Sequence, residues 1–89
     1  MHERSLLDAL MRKVATEVLQ AGAIRARALT LRLGALSHFS PQHFREHFQE
    51  ASRGTVAEGA ALTLEEATDP ADPDAQGVLL VSIELELPS

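Results

Sequence analysis

The sequence predicts an α+β fold: a two-layer sandwich in which two helices pack on one face of a three-stranded sheet. Two segments carry apolar residues at the three- and four-residue spacing of amphipathic helices, and three segments have the apolar residues of strands, two of them in clear alternation. Their order along the chain is helix, strand, helix, strand, strand. Placing both helices on one sheet face buries every apolar stripe at once, so the 89 residues are expected to form one domain.

The first helix is predicted to begin at Ser5, because Ser5 and Asp8 have the spacing of a capping box. It should run for about four to five turns and end before Gly22, which suits a left-handed C-terminal cap. The apolar stripe expected to face the core consists of Leu6, Leu7, Leu10, Met11, Val14, Val18 and Leu19.

The apolar period changes to two over residues 24–34, which predicts a half-buried strand. Its inner face is Leu29, Leu31 and Leu33, and its outer face is Ala28, Thr30 and Arg32. A second helix is predicted to start after Ser40 and Pro41, a good N-cap followed by a proline, and to run to about Ser52. Phe44, Phe48 and Ala51 form its apolar stripe, and Gly54 follows its end.

Two further strands are predicted, at residues 61–66 and 78–87, joined by a loop at 67–77. The first has Leu62 and Leu64 on one face. In the last strand, the inner residues are predicted to be Leu79, Val81, Ile83, Leu85 and Leu87, and the outer ones Ser82, Glu84 and Glu86. Glu84 and Glu86 are expected to meet Arg27 or Arg32 across the sheet. The loop carries Asp69, Asp72 and Asp74 without the spacing of a calcium-binding loop, so we expect it to be solvated.

Composition excludes several classes of function. The net charge of −5 argues against a nucleic-acid-binding protein, whose surface would be basic. The absence of cysteine excludes thiolate metal ligands and thiol nucleophiles. The chain has no apolar run of membrane-spanning length, and a cytoplasmic protein is expected.

The first three residues, Met1, His2 and Glu3, form a candidate metal site. The terminal amine, the amide nitrogen of His2 and its imidazole can reach one cation through small fused chelate rings, and Glu3 adds a carboxylate. Such a nitrogen-rich, flattened set suits Ni(II) or Cu(II) better than the oxygen-seeking Mg(II) and Ca(II). The alternative is an ordinary frayed terminus.

The other three histidines are His38, His43 and His47, and their role is open from the sequence. His43 and His47 stand four residues apart on the predicted second helix, close enough to share a metal ion. The alternative is that all three are ordinary, partly exposed histidines. No nucleophile, phosphate loop or carboxylate pair has a recognisable catalytic spacing, so the chain is not expected to be an enzyme.

Several short stretches, in this order, resemble one known family. They are Met1-His2-Glu3 with Ser5 and Leu6, residues 31–37, Pro41 and Phe48, residues 53–55 and 57–60, and residues 82–84. The chain resembles the hydrogenase nickel-insertion accessory proteins of the HypA/HybF type. The resemblance implies a carrier that brings nickel to the large subunit of [NiFe] hydrogenase, or in some organisms to urease, with a partner GTPase. It also implies nickel held by His2 and by main-chain nitrogens of Met1, His2 and Glu3.

The chain departs from that family in one large feature. Family members carry a zinc-binding lobe with two C-x-x-C pairs before the last strand, whereas residues 67–77 here contain no cysteine. We therefore expect a nickel-binding-type domain over residues 1–89, with the 67–77 loop replacing the lobe and no zinc bound. Arg4 stands where the family usually has leucine. The alternative function is a protein-interaction module that has lost metal transfer, and open sheet edges suggest a homodimer.

Overall fold

The secondary structure consists of two helices and three strands. The computed structural model describes residues 3–34, 40–69, 71 and 77–89. Within these residues the elements are α1 (Glu3–Gln20), β1 (Arg25–Leu33), α2 (Pro41–Ala51), β2 (Ala61–Glu66) and β3 (Val78–Glu86). Their types and order are the predicted ones, and the α+β class is confirmed.

The sheet has the strand order β2-β1-β3, with β1 in the centre. β1 and β2 are parallel, with Leu29 beside Leu62 and Leu31 beside Leu64. A parallel pair needs a long crossover connection, which α2 supplies. β3 runs antiparallel to β1. The central strand is therefore paired on both sides, and within the described residues each outer strand pairs on one side only.

A single apolar cluster joins both helices to the inner face of the sheet. Leu29, Leu31 and Leu33 of β1 alternate as predicted and are at most 2% exposed. Phe44 and Phe48 of α2 are buried against the same cluster. The cluster's other buried members are Leu7, Leu10, Val14, Val18, Ala26 and Ala57. Because both helices share this one core with β1, they lie on the same side of the sheet, as predicted.

Two expectations for α1 are wrong. The helix begins at Glu3, so Ser5 lies inside its first turn with helical backbone angles and is not the N-cap. Leu19 was expected in the core but is 81% exposed. Each helical residue turns by about 100°, so Leu19 lies well to one side of the buried stripe that ends at Val18. The hydrophobic identity of Leu19 therefore does not place it in the core.

Gly22 closes α1 as predicted. Its φ is +66°, its N–H donates to the Leu19 carbonyl at 3.1 Å, and the Ala23 N–H donates to the Val18 carbonyl at 3.0 Å. This pair of bonds is the Schellman motif, which satisfies carbonyls that have no partner within the helix. Val18 is buried and Ala23 packs on the core, so the motif also directs the chain towards β1.

Replacing Gly22 by alanine is expected to lower the free energy of unfolding by about 1 kcal/mol, because a Cβ makes a left-handed conformation costly. No neighbouring atom lies within 4 Å of the added Cβ, so the backbone conformation alone causes the loss. Urea denaturation measures it. Gly22→Asn is the matched control, since asparagine tolerates this conformation better. An alanine variant as stable as the wild type contradicts the prediction.

A bulge in β3 changes which of its residues face the core. Thr30 pairs with Ser82 and Leu31 with Leu80, so Val81 is an extra residue on the β3 side. The alternation therefore shifts at Val81. The prediction that Leu79 and Val81 face inwards is therefore wrong, and they are 40% and 41% exposed. Leu87, also predicted to face inwards, is 63% exposed and lies beyond the end of β3 at Glu86. The β3 residues that pack on the core are Val78, Leu80, Ile83 and Leu85.

A second irregularity, in β1, changes the predicted ion pairs. Arg27 is the extra residue between the pairs Ala26 to Leu85 and Ala28 to Glu84. Glu86 therefore lies opposite Arg25, and Arg25 Nε is 2.8 Å from Glu86 Oε1. Arg32 pairs with Glu65 of β2 at 3.1 Å rather than with a β3 glutamate. All four side chains are between 41% and 44% exposed, so each pair contributes about 0.2–1 kcal/mol.

Both ends of the 67–77 segment are attached to the end of β1. The Ala67 N–H donates to the Leu33 carbonyl at 2.9 Å, and the Gly34 N–H donates to the Gly77 carbonyl at 2.9 Å. Asp69 accepts a hydrogen bond from the Ala71 N–H at 2.9 Å. Asp72 and Asp74 lie outside the described residues. Because β2 and β3 flank β1, the segment bridges two strand spacings, about 10 Å.

Candidate metal centre

In the sequence, the predicted nickel ligands immediately precede and begin the segment that forms α1. Glu3 is the first helical residue, while Met1, His2 and the side chain of Glu3 lie outside the described residues, as does His38. The N-terminal site therefore stays a prediction. The described residues around the first turns of α1 form a groove.

A groove of about 440 Å³ lies between the first turns of α1 and the second half of α2. Six residues line it: Arg4, Leu7 and Asp8 from α1, and His47, Glu50 and Ala51 from α2. Arg4 follows His2 by only two residues, so the groove adjoins the predicted site along the chain. Leu7 is buried in the core, and this packing sets the α1 side of the groove.

The polar residues of the groove carry both signs of charge. Asp8 and Glu50 bring two carboxylates, Arg4 brings one guanidinium, and His47 brings an imidazole; all four residues are exposed. With neutral histidine the groove has one net negative charge, which favours a nearby cation. Asp8 and Glu50 are not recognisable as neighbours from the sequence, because they are far apart along the chain and only helix packing brings them together.

His43 and His47 lie on the exposed side of α2. Phe44 and Phe48, each one position further on, are 1% and 2% exposed. Burial of the two phenylalanines fixes the rotation of the helix, so the two histidines face outwards. In the part of the chain that the structure describes, no three His, Asp or Glu side chains are grouped closely enough to enclose a metal ion.

Within the described residues, the buried polar atoms are satisfied by the protein itself. Ser52 is the buried polar residue of the core, and its hydroxyl donates to the Gln49 carbonyl at 3.2 Å. Among the described residues, every buried side-chain nitrogen and oxygen has a hydrogen-bond partner. Nor is any helix in residues 3–34 and 40–69 long and apolar enough to cross a membrane.

Residues 1–71 match the model of a family described as hydrogenase/urease nickel incorporation, metallochaperone, hypA. The chain belongs to the HypA family. The resemblance seen in the sequence is thereby confirmed. The chain is 42% identical over 65 residues to the hydrogenase maturation factor HypA of Methylocella silvestris. The aligned region covers 73% of this chain and 58% of that protein. It is 38% identical over 66 residues to the HypA of Pyrococcus furiosus, and this alignment covers 74% of the chain and 48% of that protein.

Solved HypA structures share the fold. The solution structure of the Ni metallochaperone HypA from Helicobacter pylori matches with a TM-score of 0.81 at 15% identity, covering 99% of this chain and 100% of that one. A second HypA solution structure matches with a TM-score of 0.73 at 16% identity, covering 96% of each chain. At these identities the likeness shows the fold alone. In length, the matched region is little more than half of the M. silvestris relative.

Proposed function

We propose that the chain is a nickel carrier of hydrogenase maturation and not an enzyme, and that it binds Ni(II) through Met1, His2 and Glu3. Membership of a family described by nickel incorporation carries this proposal, because the match begins at residue 1 and includes the proposed ligands. The recipient is the hydrogenase large subunit or urease, and a maturation GTPase is the partner. A cytoplasmic location fits these partners.

The chemistry of the first residues supports nickel. An amine, a main-chain nitrogen and an imidazole close to one another are the ligand types that Ni(II) and Cu(II) accept. Copper should bind more tightly by the Irving-Williams order, so selectivity has to come from metal supply and partner contacts. The net negative charge of the adjacent groove, lined by Asp8 and Glu50, adds a weak attraction for a dication.

Residues 1–89 act, in this proposal, as one nickel-binding-type domain without a zinc lobe. Structural zinc sites rely on cysteine and histidine ligands, and the chain has no cysteine. The attachment of Ala67 and Gly77 to the end of β1 supports the idea that the 67–77 loop replaces the lobe, because a short segment suffices to bridge β2 and β3. The free sheet edges support a homodimer.

A second candidate is a protein-interaction module of hydrogenase maturation that has lost metal transfer. The observation that favours it is the absence of cysteine from residues 67–77, where the family resemblance implies a zinc-binding lobe. If metal transfer requires that lobe, this chain would bind partners without moving metal. Capture of a maturation GTPase by a chain that binds no nickel would support this second candidate.

Replacing His2 by alanine is expected to weaken the tightest nickel binding by more than about tenfold. The imidazole is a direct ligand in the proposal, and loss of even a supporting partner of a metal ligand costs 10–100-fold. Isothermal titration of untagged protein with NiCl₂ measures the effect. His38→Ala is the matched control and should keep the affinity. Unchanged nickel affinity in His2→Ala would show that the proposed ligands are wrong.

A further inference from the structure

One face of α2 concentrates residues that bind metals. His43, Glu46, His47 and Glu50 follow one another at spacings of three, one and three. With about 100° of rotation per residue, all four project from an arc of about 100°. All four are exposed. The helix therefore presents two His-x-x-Glu pairs, one turn apart, on a single solvent-facing stripe.

The framework behind this stripe is well anchored. Ser40 caps the helix by accepting the His43 N–H on its hydroxyl at 3.4 Å, and Pro41 occupies the first turn. At the other end the Ser52 N–H donates to the Phe48 carbonyl at 2.9 Å. Arg45 Nη1 also donates to the Leu62 carbonyl of β2 at 2.7 Å. These contacts hold α2 in place, so His43 and His47 keep a fixed spacing.

We propose that His43 and His47 together bind a divalent transition ion of the nickel, copper and zinc group. Residues four apart on a helix have Cβ atoms about 5–6 Å apart, and metal–imidazole bonds are about 2.0–2.1 Å long. One nitrogen of each ring can therefore reach the same ion. Imidazole is a ligand that all three metals accept.

Glu46 and Glu50 supply the nearest further ligands. Glu46 lies three residues after His43, and Glu50 three residues after His47, so each is a neighbour of a histidine on the helix surface. No three such side chains are grouped in the described structure, so water or a rotated carboxylate completes the coordination. His47 also takes part in another interaction of the described structure.

The residues of this site are different from those of the N-terminal site, and part of it faces the first turns of α1. His47 and Glu50 line the groove, with Arg4 and Asp8 on its α1 side. His43 lies one turn nearer the N-terminus of α2 and is not part of the groove lining. The proposal does not rest on the N-terminal ligands, since both imidazoles come from α2. An ion bound here would be held by ligands that are open to solvent.

The test uses a full-length, untagged chain in which His2→Ala and His38→Gln leave only two of the four histidines. Equilibrium dialysis against NiCl₂, and separately ZnCl₂, should find one ion per chain. The melting temperature should rise with metal concentration, because an ion that binds only the folded chain stabilises it. Adding His43→Gln to this background should weaken binding by more than about tenfold.

The matched control moves one histidine by a single position. Gln42→His with His43→Gln keeps the composition, uses an exposed position and turns the imidazole about 100° away. Binding should be as weak as in His43→Gln alone. No ion bound to the two-histidine chain, or equal binding by the shifted control, would overturn the proposal. The N-terminal site is tested separately in a His43→Gln, His47→Gln chain, so either site can fail alone.

Discussion

Replacing Phe44 by alanine is expected to lower the free energy of unfolding by about 3–5 kcal/mol. Phe44 is 1% exposed and is one of three aromatic residues in the chain. Its ring belongs to the cluster that joins α2 to α1 and β1, so truncation leaves a cavity where these elements meet. Small domains are stable by only about 5–15 kcal/mol, and the variant should therefore be close to unfolding at room temperature. Urea denaturation followed by circular dichroism measures the change.

Two controls separate cavity formation from a general sensitivity of α2. Phe44→Leu keeps much of the buried volume and should lose far less stability. Gln42→Ala, at an exposed position of the same helix, should change stability by less than about 0.5 kcal/mol. A Phe44→Ala chain that unfolds at the wild-type urea concentration would mean that the core does not depend on this ring.

Adding two residues, glycine and serine, ahead of Met1 is expected to weaken the tightest nickel binding by more than about tenfold. The extension converts the amine at Met1 into a peptide amide and moves the only free α-amine away from His2. A peptide nitrogen gives up its proton far less readily than an ammonium group, and metal ligands must be deprotonated to bind. Isothermal titration with NiCl₂ measures the loss.

A combined variant makes this prediction specific. If the amine and the His2 imidazole hold the same ion, extension together with His2→Ala should be little worse than either change alone, since residues that act as a unit are not additive. Removal of the extension by a protease should restore the affinity. Tight nickel binding by the extended chain would exclude the α-amine as a ligand.

The regular parts of the fold were predictable because local pattern and burial agree there. Leu29, Leu31 and Leu33 alternate without interruption, and Phe44 with Phe48 marks the inner side of α2. Gly22 was recognisable because few residues other than glycine tolerate a left-handed cap. Each of these signals lies within a few residues of sequence.

Features that depend on contacts between distant elements were not predictable. The alternation over residues 78–87 does not show where a strand bulge interrupts it. Only the pairing with β1 shows that Val81 is the extra residue. The partner of Arg25 follows from that same pairing. The groove was missed for a similar reason, since Asp8 and Glu50 become neighbours only when α1 packs on α2.

The bulge at Val81 has a consequence for how copies of this chain can aggregate. β3 is an outer strand, and its extra residue interrupts the regular row of N–H and C=O groups that an incoming strand would need. β2 pairs with β1 in an unbroken register and keeps a regular free edge. Unlimited fibril growth requires two receptive edges on every molecule. With the β3 edge interrupted, strand addition that uses only the β2 edge would join two copies and not extend into a fibril.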